Sequence, residues 1–192
     1  RHLTAESSKT ASTRASPLVV ARAFISAPLD EQTKKMLLQL DRSQADVKWV
    51  QPEQWHITMQ FFDAVNLDEL RDRFAKIEAA QTIGALGPRV TQFGDRHLVV
   101  PVQGLSRLAE NVRQSTGRLA PKQQLPFVGH ITLGRTKSDF VPNLAGATVQ
   151  GNFRVERLML MESVIGSTGA THTLVDSTSL IPLDVSAHSN DI

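Results

Sequence analysis

The tripeptide His-Ile-Thr occurs twice, at His56–Thr58 and at His130–Thr132, each time in a run of apolar and β-branched residues. A strand alternates its side chains, so His and Thr at i and i+2 face one side and Ile the other. Each copy therefore asks for a strand with a buried Ile and a polar face that presents an imidazole beside a hydroxyl. A lone His-x-Thr in a strand is usually a satisfied core or edge histidine. With eight Ile and fifteen Thr in 192 residues, the chance that any of the other five histidines opens a second copy is roughly 0.016 on composition alone. Coincidence is disfavoured, although a duplicated fold could keep the pair without using it.

Strand and helix signals alternate around the two copies. Residues 18–27 read as a strand stopped by Pro28, and Asp30 as the cap of a helix carrying Met36, Leu37 and Leu40. Residues 47–50 form a short strand, residues 51–54 (QPEQ) a turn, and residues 56–65 a buried strand. Residues 67–80 read as an amphipathic helix with Leu70, Phe74 and Ile77 inward. Residues 90–93 and 97–102 flank Gly94-Asp95 as a hairpin. A second amphipathic helix spans 105–119, and strands follow at 129–134, 148–155, 156–163 and 171–183. Two β-α-β halves, each holding one His-Ile-Thr strand, predict a pseudo-repeated pair of α+β lobes in one domain over residues 17–185. Residues 1–16, rich in Ser, Thr and Ala, are expected to be a disordered arm, and residues 186–192 a loose tail. In the arm basic residues outnumber the single acid, as in a transit peptide, but no amphipathic apolar face is present.

The chain contains no cysteine, which removes disulfides, thiolate metal sites and cysteine nucleophiles. No apolar run approaches the roughly 20 residues that span a bilayer, so a soluble, cytoplasmic protein without membrane contact is expected. A formal net charge of +2, spread along the chain, suits a substrate with a few phosphates better than a long duplex.

Two imidazoles and two hydroxyls around one small anion match the needs of cyclic phosphodiester opening. One imidazole takes a proton from the attacking water and the other protonates the departing ribose oxygen; a pKa of about 6.5 allows both roles near neutrality. The hydroxyls of Thr58 and Thr132 can bond the non-bridging oxygens as their charge grows. The scheme requires no metal or cofactor, and the sequence offers no HExxH, acid cluster or thiolate site.

The pieces RAFISAPLD, VKWVQPEQWHITMQFF, LPFVGHITLGR and LMLMESVIGSTGATHTL, in this order over about residues 18–183, resemble the 2H phosphoesterase superfamily. Within it they resemble the bacterial RNA 2′,3′-cyclic phosphodiesterases once named 2′-5′ RNA ligases. The resemblance implies an α+β, bilobal, pseudo-twofold fold, with two antiparallel sheets lining a central cleft and helices outside. It implies hydrolysis of a 2′,3′-cyclic phosphate to a 2′-phosphate, with His56 as proton donor to the leaving O3′ and His130 as the base that activates water. Partners would be RNA 3′ ends or small cyclic nucleotides, met by a monomer. Two positions depart from the family pattern: Gly129 stands where Pro usually precedes the second His, and His172 replaces a late aromatic.

Three rivals share the cleft: sealing of RNA ends to a 2′-5′ linkage, cleavage of 2′-5′ oligonucleotides, and nucleotide binding without catalysis. Among lesser candidates, simple alternation turns Arg135 away from His130, whereas a bulge near Gly134 would bring its guanidinium to the cleft as a phosphate clamp. Phe127 either stacks on a base or plugs the lobe junction. Phe61 and Phe62 are expected on opposite faces, and Trp55 as cover for the strand start. His97 is expected at the surface of the hairpin, and His172 as a ligand contact rather than a catalytic group.

Overall fold

A computed structural model gives the fold and describes residues 20–122 and 125–183. The expected arm at 1–16 and the tail at 186–192 lie outside the described residues. In chain order the elements are β1 (Val20–Pro28), α1 (Glu31–Leu38), β2 (Val47–Trp49), β3 (His56–Asn66), α2 (Leu67–Phe74), β4 (Thr82–Leu86), β5 (Thr91–Phe93), β6 (His97–Gln103), α3 (Ser106–Thr116), β7 (His130–Thr136), β8 (Gly151–Val155), β9 (Arg157–Gly166) and β10 (Gly169–Ser179).

Local chemistry sets the helix starts. The Asp30 carboxylate accepts from the Thr33 N–H at 2.7 Å, and the Asn66 side chain accepts from Glu69 N–H at 3.0 Å, each satisfying an orphan donor of a first turn. Helix α2 is shorter than the predicted 67–80. Its last turn closes through Ile77 N–H to Phe74 O, so Ile77 stays buried without further helix.

The strands form two antiparallel sheets, one ordered β10-β9-β1-β3 and the other β2-β7-β6-β4-β8, with β5 on β6. The strand β3 borders the first sheet, and β7 runs near the edge of the second, covered there only by the short β2. A His-Ile-Thr thus opens a strand at the inner margin of each sheet, and the two strands touch. The lobes are not successive halves of the chain. The C-terminal strands β9 and β10 return to complete the sheet begun by β1 and β3, while residues 82–155 supply most of the other.

One core serves both lobes. Ile57 and Ile131, each fully buried, share it with Leu70 and Phe74 of α2 and with Leu108 and Val112 of α3. With helices and isoleucines on that side, the alternate face of β3 and β7 is left for the cleft. None of the described helices is long and apolar enough to cross a membrane.

Candidate active site between the two lobes

The two tripeptides stand in equivalent surroundings. Pro28 lies opposite His56, Ala27 opposite Ile57 and Ser26 opposite Thr58. In the other sheet Pro101 lies opposite His130, Val100 opposite Ile131 and Val99 opposite Thr132. Both ladders then slip by one residue just past the Thr, at Met59 and at Leu133. The same bulge in both lobes makes the twofold relation hold residue by residue.

Each imidazole is fixed by the same bond. His56 Nδ1 meets Gln54 O at 2.7 Å, and His130 Nδ1 meets Val128 O at 2.7 Å. A carbonyl only accepts, so Nδ1 must carry the proton in both rings, and in the neutral rings Nε2 is left as the base. Each ring also stacks on a phenylalanine: His56 on Phe24 (centroids 4.8 Å apart, planes at 22°) and His130 on Phe93 (5.0 Å, 19°). Stacking and the Nδ1 bond together hold the rings without using Nε2.

His56, Thr58, His130 and Thr132 line one cleft of ≈ 310 Å³, together with His97 and His172. Every histidine among the described residues therefore faces the same space. No carboxylate lines it, and among the described residues no group of three His, Cys, Asp or Glu is placed to hold a metal ion. Burial pushes the His56 pKa below its ordinary 6.5; the carbonyl of Gln54 opposes this, and the positive charge of His172 and then of His130 adds to it. His97 is lowered by burial and then by Arg135 and His130, and His172 by burial and then by Arg22.

Comparison with known proteins agrees with this arrangement. The family model for LigT like Phosphoesterase matches residues 24–87, the segment that contains the first tripeptide. The fold is similar to that of TT0787 of Thermus thermophilus (TM-score 0.67, 25% identity, 82% of this chain and 97% of that one). It is also similar to Escherichia coli LigT in apo form (TM-score 0.68, 19% identity, 84% and 98%) and complexed with 3′-AMP (TM-score 0.67, 18% identity, 84% and 99%). The chain is similar to LigT-like phosphoesterases over that segment and shares the fold of the 2H phosphoesterase structures.

In this cleft the remaining candidates separate. The slip at Leu133 puts Arg135 opposite His97, on the sheet face that carries Thr132 and His130, although Arg135 is not part of the cleft wall. The matching slip at Met59 puts Phe61 opposite Phe24, with Arg22 over the Phe61 ring at 4.8 Å, while Phe62 is buried in the core. Phe127 packs against the core cluster and close to Gly129, away from the cleft wall. Trp55 is buried at the start of β3.

Two stacking partners escaped the sequence reading, because Phe24 and Phe93 lie on other strands and no spacing rule connects them to the histidines. Behind His56 a smaller pocket of ≈ 80 Å³ is lined by Phe24, Met159, Met161, Ser26, Trp55 and His172, among others. Ser26 Oγ, Trp55 Nε1 and His172 Nδ1 are buried there without a protein partner, which leaves a polar edge in an apolar recess. His172 closes the boundary between recess and cleft, edge-on to Phe24 at 4.9 Å and to His56 at 6.0 Å.

Proposed function

We propose that this protein is a 2H phosphoesterase that hydrolyses the 2′,3′-cyclic phosphate of a ribonucleotide or RNA end to a 2′-phosphate, with His56 and His130 as acid and base. The observation that carries the reading is the pair of 2.7 Å bonds from Nδ1 to Gln54 O and Val128 O, which leaves two Nε2 atoms for chemistry in one cleft. Binding alone has no need of two rings held in the same tautomer.

In the reaction, His130 Nε2 takes a proton from water as the water oxygen bonds to phosphorus. The P–O3′ bond breaks, and His56 Nε2–H delivers its proton to O3′. His56 ends neutral and His130 protonated, and exchange with solvent resets both. Thr58 and Thr132 stand one pleat from their histidines, where their hydroxyls donate to the non-bridging oxygens. The twofold relation makes the rings interchangeable in geometry, so the direction of transfer rests on the family resemblance. That E. coli LigT forms a complex with 3′-AMP supports a nucleotide as the occupant of the equivalent cleft.

Phosphorus NMR of 2′,3′-cyclic AMP incubated with the protein in EDTA tests this directly. The expected product is the 2′-monophosphate, formed at an undiminished rate in the chelator. A 3′-monophosphate, or activity that disappears with EDTA, would contradict the scheme.

A further inference from the structure

The recess behind His56 has no part in the proposed proton transfers. Its wall is apolar where Phe24 of β1 meets Met159 and Met161, which share one face of β9. Three polar groups interrupt that wall: the Ser26 hydroxyl, the Trp55 indole N–H and His172 Nδ1. None of them has a hydrogen-bond partner among the described residues. Ser26 and Trp55 are 0% and 3% exposed, so solvent at the surface does not serve them either. A buried donor left without an acceptor destabilises the fold, and the indole of Trp55 has no second nitrogen to turn elsewhere. A few such groups converging in an apolar recess are the makings of a small-molecule site, where the ligand brings the acceptors.

Register relates the recess to the cleft. Thr58 of β3 lies opposite Ser26 of β1, and Ser26 lies opposite Met159 of β9. Neighbouring strands are about 4.8 Å apart, so Ser26 and Met159 stand about 5 and 10 Å from the strand that carries Thr58. Gln54, His56 and His172 line both spaces, so one ligand can occupy the two together. In the proposed reaction His56 protonates O3′. The nucleoside that keeps O3′ therefore lies on the His56 side of phosphorus, and its base comes to the recess.

We infer that this recess is a base slot that selects pyrimidines, uracil above all, with Trp55, Ser26 and His172 bonding the edge of the ring. The inference rests on the proposed nucleotide reading of the cleft and deepens it by naming the base. Size is the first reason. A recess of ≈ 80 Å³ suits a single six-membered ring, whereas a fused purine displaces Met159 or Met161. Their flexible side chains yield, so purines bind more weakly and are still turned over. Hydrogen bonding is the second. Trp55 Nε1 only donates, the Ser26 hydroxyl donates or accepts, and His172 Nδ1 takes either role with its tautomer. Uracil offers two carbonyl oxygens with an N–H between them, cytosine one carbonyl, and adenine none.

Calorimetric titration of the full chain with uridine, cytidine and adenosine 3′-monophosphates, and with inorganic phosphate, decides it without relying on turnover. The uridine nucleotide is expected to bind about tenfold tighter than the adenosine nucleotide, with cytidine between them. The variant Ser26→Ala/Trp55→Phe keeps the ring and removes two hydrogen-bonding groups. It is expected to cut the uridine advantage to about threefold or less and to leave inorganic phosphate binding unchanged. Met161→Ala widens the recess without touching a polar group. It is expected to strengthen adenosine binding about threefold, and it carries the test if the buried double variant folds poorly. Equal affinities for uridine and adenosine in the unaltered protein, or an advantage that survives both variants, would overturn the base slot and leave the nucleotide reading standing. An equal loss of inorganic phosphate binding would also overturn it, because it marks the substitutions as damage to the whole cleft. Binding of none of the nucleotides would overturn both readings. Failure to hydrolyse cyclic nucleotides, with the uridine advantage intact, counts against the proposed reaction alone.

Discussion

At the scale of single residues, the proposed reaction has the two histidines spend one nitrogen on structure and keep the other for chemistry. His56→Ala and His130→Ala each remove one proton carrier while deleting little buried surface. Each is expected to lower kcat on 2′,3′-cyclic AMP by about 100-fold or more with the melting transition preserved. Retention of a tenth of the rate in either variant would remove that ring from the reaction. The environment of His56 adds a pH signature. Its pKa in the free protein lies below 6.5, so near neutrality most molecules start with the acid unprotonated. A bound phosphate anion draws the proton back. The alkaline limb should therefore lie at lower pH for kcat/KM, which reports free protein, than for kcat, which reports the complex. Coincident limbs in steady-state profiles would show that phosphate does not sit beside His56. Phe93 gives a cleaner probe of stacking, because it is 44% exposed and contributes little core. Phe93→Leu is expected to reduce activity several-fold while stability shifts by no more than about 0.5 kcal/mol in urea melts.

At the scale of elements, the strand pair β6–β7 is fitted to a glycine. A Cβ on Gly129 would collide with Val102 O, while Val102 N–H donates to Gly129 O at 2.9 Å. No side chain fits there without parting the strands, and the next carbonyl back, Val128 O, is the one that holds His130. Gly129→Ala should therefore cost about 1–3 kcal/mol in denaturant unfolding and reduce turnover together; a variant with ordinary stability and rate would show that the ladder has slack. The same level explains what could be read in advance. His56 and His130 were legible because each repeats a polar-apolar-polar pattern over an Ile that ends fully buried. The strand β4 was not, because Gly84 at its centre yields its Cβ space to the Phe153 ring of β8, so pairing rather than propensity makes it a strand. The side of the sheet taken by Arg135 was undecidable for a related reason: a bulge is a property of two strands in register, and one strand's sequence does not contain it. Likewise the two expected β-α-β halves missed the return of β9 and β10 to the first sheet, since nothing local in those strands names their partner.

At the scale of the whole molecule, the fold gathers the four histidines of the described residues from four different strands and both sheets into one space without acids. His56, His97 and His172 all have pKa values lowered first by burial, so the folded protein resists protonation there more than the unfolded chain does. The sign of the linkage follows. Between the lowered values and about 6.5 the unfolded chain binds more protons, so stability rises with pH across that window and levels off above it. Melting temperature should accordingly fall as pH drops from about 7 to about 5, before the carboxylates Asp41, Glu69 and Asp176, whose pKa values are also lowered, begin to titrate. Charges near the histidines sharpen the effect, since His172 faces Arg22 and His56 faces both His172 and His130. His172→Gln removes one of the three groups and should flatten the slope. Inorganic phosphate should flatten it further, because an anion in the cleft pairs with the imidazolium forms and binds the folded state alone. A melting temperature independent of pH over this range in phosphate-free buffer would mean that the imidazoles keep their hydration in the folded protein. The shared, partly dry cleft on which the catalytic reading depends would then not exist in solution.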